Sequence, residues 1–503
     1  MIQAYSGSAV RAAERPLLET GHGDALMRRA AWGLATYVLR ALRARGPAVG
    51  VTVAALVGTG NNGGDALWAL SFLRQRGVDA VAVPTGDQMH EVGLDALLRA
   101  GGRVREHIPV HAVLVIDAVL GTGARGGWEP ASIPPVPPGV TVVACDLPSG
   151  VDADTGHVAG GVILADLTVT FGALKTGLLI GAGAHAAGRV ELVDIGLGPY
   201  LGTPDVCTVE RDEALAVFAP PAWDDYKYRR GVLGVCAGSE RYPGAAVLVC
   251  HAAVASGLGM VQYAGPQRAA DLVLAACPEV VAGNAVEGKA RAWVAGPGLG
   301  SDDDARSRLA EVVEACVDDA LPLVLDASAL DLVTLEDLDR LRAAGATIVL
   351  TPHEGELRRL VSRLAPDMNV SFAAVAGWDP VTAARRTAKE LGVVVLLKGP
   401  TTVCAAPDGR TVVQNEGGPE LATAGSGDTL AGLVGSALAR TEHHGPIATA
   451  EKVAAAAWLH GMAGQRSAVQ GPFGASALAD VVRDVMASGK EPATGNTLSA
   501  PGV

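Results

Sequence analysis

Twice along this 503-residue chain, short runs of Val, Ala, Leu and Ile alternate with longer stretches whose apolar residues recur at helical spacing. This rhythm constrains the fold more than any single motif. Parallel strands cannot be joined by a tight turn; they need a crossover of a dozen or more residues, and an α-helix is the usual one. The first series predicts strands over 51–57, 80–83, 112–117, 140–146 and 167–171. It stalls between 196 and 223, where Gly, Pro and acidic residues dominate and a domain boundary is expected. The second series predicts strands over 232–237, 292–295, 323–326, 347–350 and 393–397, with helices over 245–256, 306–317, 449–466 and 476–486. The expected class is α/β, with two domains over 1–212 and 213–488. The polar, Pro- and Gly-dotted residues 489–503 read as a disordered tail.

Hydrophobic residues make up 49% of the chain and aromatics only 4%, so the cores must be built from Ala, Val and Leu, as in parallel sheets covered by helices. A net charge of −13 opposes a nucleic-acid backbone as the main partner, because phosphate tracking needs a concentrated positive stripe. The seven cysteines are scattered singly, without a Cys-x-x-Cys pair, which suits a reducing compartment. The first residues lack a basic-then-apolar signal and no apolar run reaches membrane length. A soluble, cytoplasmic protein without nucleic-acid or membrane partners is the expectation, and a homo-oligomer is expected.

Two glycine patterns mislead. Gly283 to Lys289 is spaced like a phosphate-binding Walker loop, but Ala290 stands where a metal-binding hydroxyl is required. Gly121-Thr122-Gly123-Ala124-Arg125-Gly126 matches a dinucleotide fingerprint, yet Pro130, Pro134, Pro135, Pro137 and Pro138 forbid the helix that must follow it. A standard nicotinamide dehydrogenase is therefore disfavoured.

Three loops close the first-series strands: Gly58-Thr59-Gly60-Asn61-Asn62-Gly63-Gly64-Asp65, Asp117 to Gly123, and Asp146-Leu147-Pro148-Ser149-Gly150-Val151-Asp152. Strand C-termini of a parallel sheet converge on one crevice. Oxygens from Asn62, Asp117 and Ser149 would suit a hard cation, leaving Asp146 to face a ligand. Each loop alone is also an ordinary turn. Taken in order, with Thr170-Phe171-Gly172-Ala173-Leu174-Lys175, they resemble the NAD(P)H-hydrate epimerase family, the YjeF N-terminal domain, over about residues 10–195. The resemblance implies a Rossmann-like three-layer αβα sandwich and a potassium ion at Asn62, Asp117 and Ser149. It also implies contacts to the hydrated nicotinamide nucleotide from Asn61, Asn62, Gly63, Gly64 and Asp65, from Gly121, Thr122, Gly123, Ala124, Arg125, Gly126 and Gly127, and from a catalytic Asp146. Ala66 stands where that family has Gly, and Arg28-Arg29 where Met-Glu-Arg is common.

Near the other end, Gly425-Ser426-Gly427-Asp428 places an acid behind a glycine turn that opens an Ala/Leu helix. Backbone N–H groups of such a turn, backed by the helix's positive end, can close on a phosphate. The plainer reading is a tight loop whose Asp favours a helix N-terminus, worth under about 1 kcal/mol. The turn follows Gly238 to Ala245, Gly296 to Gly300, Thr351-Pro352-His353-Glu354 and Lys398-Gly399-Pro400-Thr401-Thr402. Thr351 to Glu354 also reads as a capping box with Pro at the first helical position, which leaves His353 unexplained. Lys398 alone would read as an edge cation.

This series resembles the ADP-dependent NAD(P)H-hydrate dehydratase, a ribokinase-like αβα domain, over about residues 226–486. The resemblance implies that Ala245, Gly300, His353 and Asp428 meet the hydrated nicotinamide. It implies that Lys398, Gly399, Pro400, Thr401, Thr402, Gly425, Ser426 and Gly427 hold the adenine nucleotide, with Asp428 as the catalytic base and magnesium on the phosphates. Ser328 replaces the second Asp of the family's Asp-Ala-Asp-Ala run, and Glu354 a common Pro.

The joined halves imply repair of hydrated NADH and NADPH: epimerisation of the R and S forms, then ADP-driven dehydration of the S form to NAD(P)H, AMP and phosphate. Two rivals stand beside that expectation. One is a small-molecule kinase with a noncatalytic N-terminal domain; the other is a binding or scaffold protein.

Overall fold

The computed structural model describes residues 1–123, 134–283, 286, 289–367, 379–440 and 447–488. Ala124, Arg125, Gly126 and Gly127, most of the Walker-like run and the expected tail lie outside the described residues. The backbone forms two compact units that divide between Val206 and Cys207.

The N-terminal unit carries β1 (Ile2–Tyr5), β2 (Thr52–Val57), β3 (Asp79–Pro84), β4 (Arg103–Val104), β5 (Leu114–Ala118), β6 (Thr141–Cys145), β7 (Leu167–Phe171), β8 (Leu174–Lys175) and β9 (Arg189–Val193). Seven of them form one parallel sheet in the order β4-β3-β2-β5-β6-β7-β9. β2 shows why its sequence is apolar at every position after Thr52. Val53, Ala55 and Val57 enter one buried cluster, while Ala54 and Leu56 enter another. Successive side chains point to opposite faces, and both faces here are covered. β1 and β8 pair with each other, also in parallel.

The C-terminal unit carries β10 (Val206–Thr208), β11 (Val232–Cys236), β12 (Met260–Ala264), β13 (Val281–Gly283), β14 (Ala292–Ala295), β15 (Leu323–Leu325), β16 (Ile348–Leu350), β17 (Val394–Leu397), β18 (Thr402–Ala405) and β19 (Thr411–Gln414). Their order is β13-β12-β11-β14-β15-β16-β17-β18-β19-β10. Pairing is parallel except at β17–β18 and β18–β19. The buried helices Ser426–Ala439 and Thr449–Gln470 pack on this sheet with Pro243–Ala255.

Several expectations change. The boundary stretch 196–223 holds β10 and the helix Arg211–Val217, because Val206, Val209, Ala214, Val217 and Phe218 give even this polar stretch an apolar side to bury. Asn61 to Asp65 are not loop but the start of the helix Asn61–Arg74, with Gly60 as the extended residue before it. The helix around Glu354 starts two residues later than a cap at Thr351 requires. Thr351 is buried and donates its hydroxyl to Leu325 O, so the capping residue is His353, answered by Glu356.

Candidate active sites

In the N-terminal unit the ends of β2 and β5 meet backbone to backbone. The Gly58 N–H donates to Ala118 O at 3.0 Å, and a Cβ on Gly58 would lie 2.1 Å from Val119 O, a space only glycine leaves. Asp117, fully buried at the end of β5, accepts from Ser149 twice: from its N–H at 2.7 Å and its hydroxyl at 2.6 Å. Ser149 Oγ in turn accepts from Leu120 N–H at 2.9 Å, and the Asn62 side-chain amide donates to Leu120 O at 2.8 Å. Three separate strand-end segments are thereby laced together, and Gly121 packs against the Asn62 side chain. Burial pushes the Asp117 carboxyl up to about 6 against the pull of its Ser149 and Val119 hydrogen bonds.

Beside it lies a second cluster. Asp146 follows β6 with φ of 68°, a left-handed conformation that Asp tolerates better than most residues. Its Oδ1 accepts from Lys175 Nζ, from Thr170 Oγ1 at 3.1 Å and from Phe171 N–H at 3.3 Å, and its Oδ2 from Thr122 Oγ1. Burial acts to raise this carboxyl. The Lys175 cation and these hydrogen bonds outweigh that effect and hold it below the usual carboxylate range. Asp65 goes the other way: burial, then the Asp146 and Glu14 charges, hold it well above its ordinary value.

In the C-terminal unit, neighbouring parallel strands β11, β14, β15, β16 and β17 deliver their following loops to the same sheet edge. Gly238 N–H donates to Pro297 O at 2.7 Å, tying the loop that leads to Ala245 to the Gly296 to Gly300 loop. Gly300 N–H reaches Ser328 Oγ at 3.3 Å. Lys398 N–H donates to Pro352 O at 2.8 Å, and His353 and Lys398 are paired as an isolated parallel bridge. The Lys398 ammonium meets Asp326 Oδ1 at 2.8 Å and Glu356 Oε2 at 3.7 Å. Burial acts to lower its pKa, but Asp326, Glu356 and Asp428 together keep it raised. Gly399 and Pro400 are exposed at the hairpin tip, Thr401 hydrogen-bonds Asn415 at 2.8 Å, and Thr402 opens β18.

Gly425 has φ of +88° immediately before the helix Ser426–Ala439, and a Cβ there would meet Leu248 Cδ1 at 2.4 Å. Asp428 is third in that helix, and burial followed by the Asp326 charge pushes its carboxyl up to about 6 despite Lys398. A Cβ on Gly427 would lie 3.4 Å from Lys398 Nζ, so the lysine head sits against the turn. His353 is exposed, and its Nδ1 accepts from Gly355 N–H at 3.0 Å.

Residues 233–483 match the family model described as NAD(P)H-hydrate dehydratase, and residues 23–177 match that of the YjeF-related protein N-terminus. The chain is 44% identical to the bifunctional NAD(P)H-hydrate repair enzyme Nnr of Mycobacterium tuberculosis, over 86% of this chain and 89% of that one. This chain belongs to the bifunctional NAD(P)H-hydrate repair enzyme family. The enzyme of the same name from Corynebacterium glutamicum is 35% identical over 88% of each chain. Among solved structures, the ADP/ATP-dependent NAD(P)H-hydrate dehydratase from Bacillus subtilis, co-crystallised with ATP and Mg2+, aligns at a TM-score of 0.47 and 26% identity, over 56% of this chain and 97% of that one.

Reading the family motifs alone left several residues of these clusters without a role. Asp326 and Glu356 lie close to the Ser328 and Thr351 to Glu354 segments, but their pairing with Lys398 depends on segments that follow three different strands. Lys175 also lies inside a motif, yet nothing in its spacing ties it to Asp146. His460 carried no signal at all: it is buried in the Ala-rich helix Thr449–Gln470, 3.1 Å from Ser426 Oγ, with burial pushing its pKa down to about 4.

Proposed function

We propose that Asp428 is the base of an ADP-dependent dehydration of the S form of hydrated NAD(P)H, and that the Asp146 cluster serves epimerisation of the R and S forms. The observation that carries the first part is the half-buried Asp428 in the first turn behind Gly425, its carboxyl raised toward neutrality beside the Lys398 ammonium. That is the poise a general base needs near physiological pH.

Asp428 takes the proton of the substrate hydroxyl as that oxygen bonds the terminal phosphorus of ADP and AMP leaves. The C–O bond then breaks, phosphate departs, and loss of a ring proton restores the dihydropyridine. N–H groups of Gly425, Ser426 and Gly427 and the Lys398 ammonium carry the charge that develops on the phosphoryl oxygens. Ala245, Gly300 and His353 bound the nicotinamide side, and Lys398, Gly399, Pro400, Thr401 and Thr402 the adenine nucleotide. Magnesium, when bound, would neutralise the phosphates.

Asn62, Asp117 and Ser149 would hold potassium. Their donor set fits: one carboxylate with amide and hydroxyl oxygens suits a monovalent hard cation, and among the described residues no cluster of three His, Cys, Asp or Glu offers the denser charge of a divalent site. A bound potassium ion would pin three strand-end segments around the nucleotide. The units are two catalytic domains, in a protein that assembles as a homo-oligomer. Among the described residues no helix is long and apolar enough to cross a membrane.

The test supplies mixed epimers of hydrated NADH, ADP and magnesium and follows the return of dihydronicotinamide absorbance. Complete recovery with stoichiometric AMP and phosphate is expected. A stable phosphorylated product would favour a small-molecule kinase instead, and no nucleotide turnover would favour a binding protein.

A further inference from the structure

We propose that Asp65 is the acid that expels the substrate's hydroxyl during epimerisation, while the Lys175-locked Asp146 remains a permanent anion that stabilises the cationic ring left behind. The inference rests on the reading of the N-terminal unit as the epimerase.

Two carboxylates stand on segments that follow strands of one sheet, Asp146 directly after β6 and Asp65 in the helix after β2, and the structure treats them oppositely. Asp146 is saturated. Lys175, Thr170, Phe171 and Thr122 donate to it, and all three Lys175 protons are matched by acceptors: Asp146 Oδ1, Thr170 Oγ1 at 3.0 Å and Phe171 O at 2.8 Å. With Lys175 buried, no donor of that ammonium is left for a second carboxylate. Asp65, the fifth residue of the helix after β2, has no hydrogen-bond donor among the described residues and keeps part of its surface open. A carboxyl that lacks donors, beside an anion that has them, is the one that holds a proton.

The groups around Asp65 favour the same division. Asp146 and the half-buried Glu14 act to raise it, and Lys175 acts to lower it. Glu14 lies on the helix Gly7–Glu19, where burial and then Asp146 raise it against Lys175 and Arg11. Arg11 is turned to Thr122 O at 2.5 Å. The Cys145 thiol is buried and pushed well up, and His90 lies against Gly64 with its Nδ1 accepting from Gly93 N–H at 3.1 Å.

The chemistry balances with water alone. The Asp65 carboxyl donates its proton to the hydroxyl, the C–O bond breaks to release water, and the ring nitrogen's electron pair forms a C=N bond. The positive ring then lies beside Asp146. Water adds to the opposite face, the electron pair returns to nitrogen, and the proton lost by the incoming water returns to the Asp65 carboxylate through solvent. Nothing is oxidised or reduced.

The experiment uses the full chain without ADP, so that only R and S forms exchange, in water enriched in 18O, with the epimer ratio read by chromatography. The wild type is expected to insert one solvent oxygen per inversion and to slow as pH rises through the Asp65 pKa, because the protonated form is required. Asp65→Asn should lower kcat by at least about 100-fold. Glu14→Gln removes a neighbouring anion and should move the alkaline limb to lower pH, a change that mere loss of packing does not produce. Inversion with retained oxygen, an Asp65→Asn defect confined to KM, or an unmoved limb in Glu14→Gln would overturn the assignment. A wild type that does not exchange the epimers at all would instead overturn the epimerase reading on which it rests.

Discussion

At the level of single residues, two carboxylates with similar elevation, fully buried Asp117 and half-buried Asp428, have different environments. Asp428 rises to about 6 through burial and Asp326, and its useful form is the anion. Dehydration kcat/KM should therefore climb as pH rises through about 6 and level off above it, a profile read directly from initial rates. Asp428→Asn should slow dehydration by at least about 100-fold while epimer exchange continues; near-normal dehydration would remove Asp428 from the mechanism. Asp117, by contrast, spends both oxygens on Ser149. Asp117→Ala should raise the potassium needed for half-maximal epimerisation by at least about tenfold. Dehydration of purified S form should persist in that variant, and unchanged potassium dependence would show the cation site to be wrongly placed.

At the scale of elements, the loop-to-helix junctions do most to shape both sites. Gly425 needs its left-handed conformation to turn the Ser426–Ala439 helix start toward the Lys398 ammonium, and a side chain there would strike Leu248. Gly425→Ala is expected to cost about 1–2 kcal/mol from backbone conformation alone, with the clash in addition. Chemical denaturation should show that loss, and KM for ADP should rise. Normal ADP affinity in a destabilised protein would separate the turn's structural role from anion binding. At these junctions local composition and actual structure part company. Asn-Asn-Gly-Gly-Asp has turn composition yet forms the start of a helix, because Gly60 absorbs the extended step before it. Thr351 has the chemistry of a cap, but the neighbouring strand claims its hydroxyl.

At the scale of the molecule, the division at Val206–Cys207 refines where the chain can be cut. Thr176 and Ala4 hold Asp205 by hydrogen bonds, while Cys207 pairs with Val412 and the helix Arg211–Val217 buries Ala214 and Val217 in the C-terminal core. A cut between Asp205 and Val206 should give two soluble fragments, whereas one near Trp223 should strip β10 and that helix from the second and destabilise it. With the C-terminal fragment alone, absorbance recovery from mixed epimers should be fast for the S form and then stall, and adding the N-terminal fragment should complete it. Rapid consumption of both epimers by the C-terminal fragment would contradict the division of labour. The parallel architecture was legible in the chain itself, since runs such as 53–57 are apolar on both faces and tolerate no exposed side. The chain also determined the strand-end motifs, because glycine and acid at fixed spacing are local requirements. Tertiary structure alone decided which carboxylate is an anion and which holds a proton. Lys175 reaches Asp146 across 29 residues and Lys398 reaches Asp326 across 72, and a charge pairing between distant segments leaves no periodic trace in either.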